Sequence, residues 1–281
     1  MASPRLHVEA DFQSGQELAL APAVAHYLGH VLRLQPGDRV RLFNGRDGEW
    51  SARIVALGRK EARVELLTAL RAQVLSPDLT LLFAPLKKDR TDFVVEKATE
   101  FGVSRIQPVI TERTQGQNFR VERLQALSRE AAEQTERLDL VQIDTPRKLS
   151  SLIQDWPIDH CILFADEQGD GLPETNDPAE PWGGRAGRAL PARHVLEAIC
   201  KDPATRPDRL ALLIGPEGGF SRGERQSLRA LPFIRPVSLG PRILRAETAS
   251  LALLTLIQSF WGDWGPSDNE CEQAKPGPPN G

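Results

Sequence analysis

The chain has 281 residues, 40% of them hydrophobic and 26% charged, and a net charge of −3. That is the composition of a soluble globular protein able to bury a core, and the length suggests about two domains. No stretch pairs a basic head with an apolar run as a secretory leader does, and none reaches transmembrane length, so a cytoplasmic protein without membrane attachment is expected.

Residues 1–75 read as a small β domain. A helix is expected over 21–34, where His26 and His30 stand four apart. No third ligand accompanies them, so they read as packing or surface histidines and no metal is expected. Gly37-Asp38, Asn44-Gly45 and Asp47-Gly48 mark turns between runs at 39–43, 50–56 and 62–68. Val40, Leu42, Ile54, Val64 and Leu66 alternate as half-buried strands do.

After Ser76-Pro77-Asp78, residues 79–84 form a buried-strand run. A helix over 89–101 should turn Phe93, Val94, Ala98 and Phe101 inward and end at Gly102. Residues 105–110 are the next strand, so strand, helix and strand make a βαβ unit with a parallel sheet. A charged amphipathic helix follows over 120–137, then a strand over 160–165. Residues 166–208, rich in proline and glycine, read as a flexible insert with one helix at 193–200. Residues 263–281 are polar and read as a disordered tail. The cysteines Cys161, Cys200 and Cys271 show neither metal-ligand spacing nor an even count and read as free thiols.

Two stretches carry the chemistry. Leu210 to Ile214 is a buried-strand signal, followed by Gly215-Pro216-Glu217-Gly218-Gly219-Phe220. Ser221 and Glu224 then have the spacing of a capping box. Strand, glycine loop and helix is where open α/β sheets bind ligands, yet neither a phosphate loop nor a dinucleotide fingerprint is present. The second stretch is Leu239-Gly240-Pro241-Arg242-Ile243-Leu244-Arg245-Ala246-Glu247-Thr248-Ala249. It precedes an apolar run over 250–260 that reads as a buried helix. Charge is uneven around these motifs. Residues 159–180 hold seven acidic and no basic side chains, whereas residues 222–247 hold six arginines against Glu224 and Glu247. A basic bias there suits phosphate contacts, and equally a solvated helix face.

Together the two stretches resemble the C-terminal signature of the RsmE family of 16S rRNA (uracil-N3) methyltransferases, in the SPOUT class. The resemblance extends to Lys97-Ala98-Thr99-Glu100-Phe101-Gly102-Val103, to Glu112-Arg113-Thr114 and to Glu133-Gln134-Thr135-Glu136-Arg137. It also covers Pro4-Arg5-Leu6, His30 to Arg33 and Phe43-Asn44-Gly45. The basic residue and proline usual after Arg137 are replaced by Leu138 and Asp139.

The resemblance implies an α/β fold. A small N-terminal PUA-like β-barrel over 1–75 would precede a SPOUT-type parallel sheet with a trefoil knot over 79–262. S-adenosylmethionine would lie against three loops. The first carries Phe164 and Ala165; the second Ile214, Gly215, Glu217, Gly218 and Gly219; the third Leu239, Gly240, Ile243, Leu244 and Arg245. Ile243 and Leu244 would flank the adenine. Arg245 would stabilise a uracil losing its N3 proton, with Glu217 as base or orienting group; the alternative for Arg245 is a salt bridge to Glu247 or Glu217. Arg5, Arg33, Lys87, Arg90, Arg113 and Arg137 become candidate RNA contacts. The implied partners are 16S rRNA or the assembled small ribosomal subunit, and a second copy of the chain. Left open are a SPOUT enzyme acting on another RNA or on a ribose 2′-hydroxyl, and a non-catalytic RNA-binding protein.

Overall fold

The computed structural model describes residues 3–59, 61–115, 119–166, 189–201 and 206–264. The chain divides into two compact units, one of residues 1–75 and 128–140, the other of residues 76–127 and 141–281.

In the first unit, β1 (Arg5–His7), β2 (Glu17–Leu20), β3 (Arg39–Phe43), β4 (Glu49–Leu57) and β5 (Ala62–Arg71) form one sheet in the order β1-β3-β4-β5-β2. β1 runs parallel to β3, and the other pairings are antiparallel. Val40, Leu42, Ile54, Val64 and Leu66 are all buried, as their alternation predicts. The expected helix is shorter: α1 (Pro22–His26) passes into a single π-turn over Tyr27–Val31, and Arg33 ends it with φ of 55°. Gly48 is fixed by contact, since a Cβ there would lie 2.1 Å from the Arg71 carbonyl oxygen.

Residues 128–140 belong to this unit because they complete an ionic core. Glu49 is fully buried and accepts from Arg5 Nε at 3.1 Å, with Arg41 and Arg71 at 3.3 and 3.2 Å. Arg5 also donates to the Ala132 carbonyl at 2.6 Å and to the Arg137 carbonyl, and lies 3.8 Å from the Phe43 ring centroid. Arg137 in turn is buried and donates to both Asp139 oxygens, at 2.7 and 3.0 Å. Arg5 and Arg137, expected at an RNA surface, are thus internal struts. A buried guanidinium must be paired to be tolerated, and both are.

His7 packs edge-on against Phe43, and its backbone N–H donates to Glu133 Oε1 at 2.8 Å. Burial, reinforced by Arg129, pushes the imidazole pKa down to about 4. Between its ordinary value near 6.5 and about 4 the unfolded chain takes up a proton that the folded chain refuses. The neutral imidazole's contribution is therefore complete above pH 6.5 and lost as pH falls toward 4, by up to about 3 kcal/mol. Glu133, whose pKa burial raises, opposes this only at the acidic end. Stability of the wild-type chain followed by thermal melts from pH 7 to pH 4 should fall, and His7→Gln should flatten that slope. Equal slopes would show that His7 titrates normally.

In the second unit, β6 (Leu79–Phe83), α2 (Lys88–Glu100) and β7 (Arg105–Ile110) realise the expected βαβ unit. Then come α3 (Val121–Gln134), whose last turns belong to the first unit, β8 (Gln142–Ile143), β9 (Arg147–Lys148), α4 (Leu149–Gln154) and β10 (Cys161–Ala165). β11 (Leu190–Pro191), α5 (Ala192–Cys200), β12 (Leu210–Ile214), α6 (Arg222–Arg229), β13 (Ile234–Ser238) and α7 (Ala246–Phe260) complete it. The sheet runs β11-β13-β10-β12-β6-β7-β8, with β9 on β7, and every pairing is parallel. Leu210, Leu212 and Ile214 face the cluster holding α2, α5 and α7, whereas Ala211 and Leu213 face that of α4 and α6. Cover on both faces explains why β12 reads as an unbroken apolar run.

Three expectations need correction. Phe93 is 39% exposed, and Val95 takes the inward position beside Val94 and Ala98. The α7 helix is not buried all round: Thr248, Thr255 and Ser259 form an exposed stripe, while Gln258 is buried and donates to the Phe101 carbonyl. Within 166–208, Asp166 and the α5 segment belong to the fold, because Ala192, Val195 and Leu196 are buried at helical spacing and β11 pairs with β13. Residues 167–188 and 202–205 of that stretch, and 265–281 of the expected tail, lie outside the described residues.

Candidate functional site

In the sheet, β10 lies between β13 and β12, both of which follow it in sequence. The chain leaves β10, returns on one side as β12, and crosses by α6 to the other side as β13. Their carboxyl ends point the same way, and the connections diverge there, leaving a crevice at the switch point. A cavity of about 210 Å³ occupies that place.

Each of the three strand ends contributes a wall. The first is Ala165 and Asp166; the second includes Ile214, Gly215, Glu217, Gly219 and Phe220; the third includes Leu239, Gly240, Ile243, Leu244 and Arg245. Phe164 and Gly218, expected in the site, do not line it. Phe164 is fully buried and meets Phe220 edge-on, with ring centroids 4.9 Å apart. That contact props Phe220 over Gly215, where a Cβ would lie 2.5 Å from the Phe220 ring. Gly218 faces away, and its carbonyl accepts from Arg113 Nη1 at 2.9 Å. Gly240 has φ of 109°, a conformation that L side chains rarely adopt. Ile243 stands 84% exposed on the third wall.

The glycine loop enters α6 through the expected capping box: the Ser221 hydroxyl accepts from the Glu224 N–H at 3.1 Å, and Glu224 Oε2 accepts from the Ser221 N–H at 2.8 Å. The other Glu224 oxygen accepts from the Glu112 N–H at 2.8 Å, which ties the segment after β7 to the same cap.

The charged groups are arranged in a way that sequence reading only partly reached. Asp166 is buried at the cavity wall and binds Arg225 through both oxygens, at 2.9 and 3.1 Å, and Arg229 at 2.8 Å. Its place directly after a strand, with two arginines four apart on α6, was the available signal. Arg245 is exposed at the N-cap of α7 and, among the described residues, has no ion-pair partner. The alternative salt bridge to Glu217 or Glu247 is not made. Both carboxylates face Arg90 instead, at 3.4 and 3.6 Å. Of the remaining RNA candidates, Arg33, Lys87 and Arg113 are exposed and Arg90 is half-buried.

Among the described residues no group of three His, Cys, Asp or Glu side chains could hold a metal, and His26 stacks on His30 with centroids 4.6 Å apart. Cys161 and Cys200 are free, and burial raises both thiol pKa values, which favours the protonated thiol. No helix among the described residues is long and apolar enough to cross a membrane.

Residues 74–258 match the family described as an RNA methyltransferase domain, and residues 20–67 match an RNA methyltransferase PUA domain. The chain belongs to this RNA methyltransferase family. It is 30% identical over 257 residues to the ribosomal RNA small subunit methyltransferase E of Rickettsia conorii, covering 90% of this chain and 94% of that one. The namesake of Synechocystis is 32% identical over 248 residues, covering 86% and 73%. The crystal structure of a ribosomal RNA small subunit methyltransferase E from Neisseria gonorrhoeae bound to S-adenosyl methionine superposes with a TM-score of 0.74 at 26% identity, covering 94% and 100%.

In this methyltransferase domain, Asp166 locks the end of β10 to α6. Asp166→Ala should destabilise the second unit by about 3–5 kcal/mol, because it leaves two guanidinium groups without their shared carboxylate. Denaturant unfolding measures this, and a loss under 1 kcal/mol would show that the triad is not a lock.

Proposed function

We propose that the chain transfers a methyl group from S-adenosylmethionine to N3 of a uridine in 16S rRNA of the small ribosomal subunit. The observation that carries this reading is Arg245, a guanidinium without an ion-pair partner among the described residues, on the wall of a three-loop cavity in a chain of the RNA methyltransferase family. The names of the two relatives support ribosomal RNA of the small subunit as substrate, and the Neisseria structure supports the cofactor. The choice of uracil N3 rests on the resemblance of the two C-terminal motifs. The trefoil knot, the cytoplasmic location and the assembled subunit as substrate belong to the same reading.

The cavity residues fit this cofactor. The walls combine apolar side chains (Ile214, Leu239, Leu244) with backbone groups at Gly215, Gly219 and Gly240, as a flat adenine held by main-chain hydrogen bonds requires. Glu217 supplies negative charge for a cationic ligand. When bound, the cofactor supplies an activated methyl group, so alignment and charge stabilisation are what remain for the protein.

Arg245 meets the second need. Its side chain stands where the backbone N–H groups at the start of α7 also favour negative charge, and together they stabilise a uracil deprotonated at N3. Glu217, 39% exposed and within reach of Arg90, takes the proton or orients the base. Arg33, Lys87 and Arg113, all exposed, would meet RNA phosphates in this reading. The outer side of α7 carries Leu251, Leu256 and Phe260 half-buried beside its exposed stripe, and a second copy of the chain is the partner for that face.

Arg245→Ala should lower turnover about a hundred-fold and leave cofactor affinity nearly unchanged, since the cavity backbone remains in place. Calorimetry with S-adenosylmethionine and single-turnover methyl transfer to small-subunit particles separate the two. Lost binding with normal chemistry in the residual complex would make Arg245 a cofactor ligand. Gly215→Ala should do the reverse, because the added Cβ displaces the Phe220 ring and closes the cavity first. Light scattering at micromolar concentration should give the mass of two chains, and a monomer would remove the dimer from this reading.

A further inference from the structure

Arg90 stands behind the cavity and does not line it. It sits in the first turn of α2, which is brought beside the glycine loop by the Ala84 N–H donating to the Ile214 carbonyl at 3.1 Å. The turn before α2 is fixed by Thr91, whose hydroxyl donates to the Leu86 carbonyl and accepts from the Leu86 N–H, both at 3.0 Å. From this anchored base the Arg90 guanidinium reaches one carboxylate on the second wall and another in the first turn of α7, just after the third. Nη1 lies 3.4 Å from Glu217 Oε1 in the glycine loop, and Nε lies 3.6 Å from Glu247 Oε1 in the first turn of α7. Glu247 is the more enclosed of the two, and its other oxygen, Oε2, is buried without a hydrogen-bond partner among the described residues.

A single planar cation between two carboxylates sets the distance between the loops that carry them. It also occupies the two acidic groups that would otherwise draw Arg245 into a salt bridge. Without Arg90, Glu217 and Glu247 repel each other, and the half-buried Glu247 carboxylate loses the cation beside it. The second and third walls then separate, or Arg245 folds down onto them.

We propose that Arg90 is a positioning residue of the cofactor site: it straps the glycine loop to the start of α7 and keeps Arg245 unpaired for the substrate. This departs from the RNA contact that the sequence resemblance suggested for it, and it rests on the reading of the cavity as a cofactor site. Lysine, a compact point charge, cannot span both carboxylates and should restore the strap only in part.

The test uses the full chain with Arg90→Gln, Arg90→Lys, Glu217→Gln and the double variant Arg90→Gln/Glu217→Gln. Amide hydrogen exchange of the unliganded proteins reports on the loops without any cofactor. Exchange at 215–220 and 239–247 should speed up in Arg90→Gln, less in Arg90→Lys, and remain unchanged in the first unit. Calorimetry should show S-adenosylmethionine affinity falling about three- to tenfold in Arg90→Gln, and loop exchange in the double variant should be no faster than in Arg90→Gln alone, because both substitutions break the same strap. RNA affinity, and its slope against salt, should match wild type. Unchanged loop exchange with a reduced RNA affinity and a shallower salt slope would overturn the inference and make Arg90 a phosphate contact. Loop exchange that speeds up additively in the double variant would overturn it too, since Arg90 would then act other than through Glu217. A wild-type chain that binds no S-adenosylmethionine, with loop exchange still responding to Arg90→Gln, would sink the cofactor reading and leave the strap a purely structural one.

Discussion

The structure depends on the placement of β10 between two strands that come after it in the chain. Because β12 and β13 flank β10 and all three run parallel, their carboxyl ends open together and their connections diverge. The cavity follows from that constraint. So does the hydrophobicity of the strands, which must satisfy helices on both faces, and so does the need to hold three separate loops in register. The ionic triad of buried Asp166 and Arg225 with half-buried Arg229 secures the first loop, the Ser221–Glu224 cap secures the second, and Arg90 lies between the second and the third.

Much of this was legible in the sequence because local rules and global fold agree. The run at Leu210–Ile214 carries the signal of a strand covered on both sides, and the box at Ser221 and Glu224 has the spacing that begins a helix. Alternation at Val40 and Leu42 and the turn at Gly48 placed the sheet of the first unit. What failed was what sequence spacing does not encode. Arg5 and Arg137 are 132 residues apart, and nothing local distinguishes an arginine that will be buried against a distant carbonyl from one that will meet a phosphate. Phe93 and Val95 were exchanged because both fit a helical stripe and the edge of that stripe is set by neighbouring helices. Phe164 and Gly218 neighbour the cavity in sequence but point away from it, a matter of strand alternation and of one carbonyl bound by Arg113.

Arginine does two kinds of work in this chain. Arg5, Arg137 and Arg225 are buried, paired and structural, although the family resemblance made Arg5 and Arg137 candidate RNA contacts. Arg245 is the converse: it lies two residues from Glu247 and lines the same cavity as Glu217, yet it is exposed, and both carboxylates face Arg90. A cation held ready in this way can act on charge that develops only in the reaction, which is the condition for it to accelerate chemistry more than binding.

The central claim is a methyl group placed on uracil N3, and the most direct measurement is to find it. Small-subunit RNA lacking the modification, incubated with the chain and isotopically labelled S-adenosylmethionine, should acquire label at one uridine of 16S rRNA. Reverse transcription should halt there, because a methyl on N3 removes the hydrogen that pairs with adenine. Label that leaves reverse transcription undisturbed and resists alkaline cleavage would place the methyl on a ribose 2′-oxygen and contradict the account, as would the absence of label from RNA that the chain demonstrably binds.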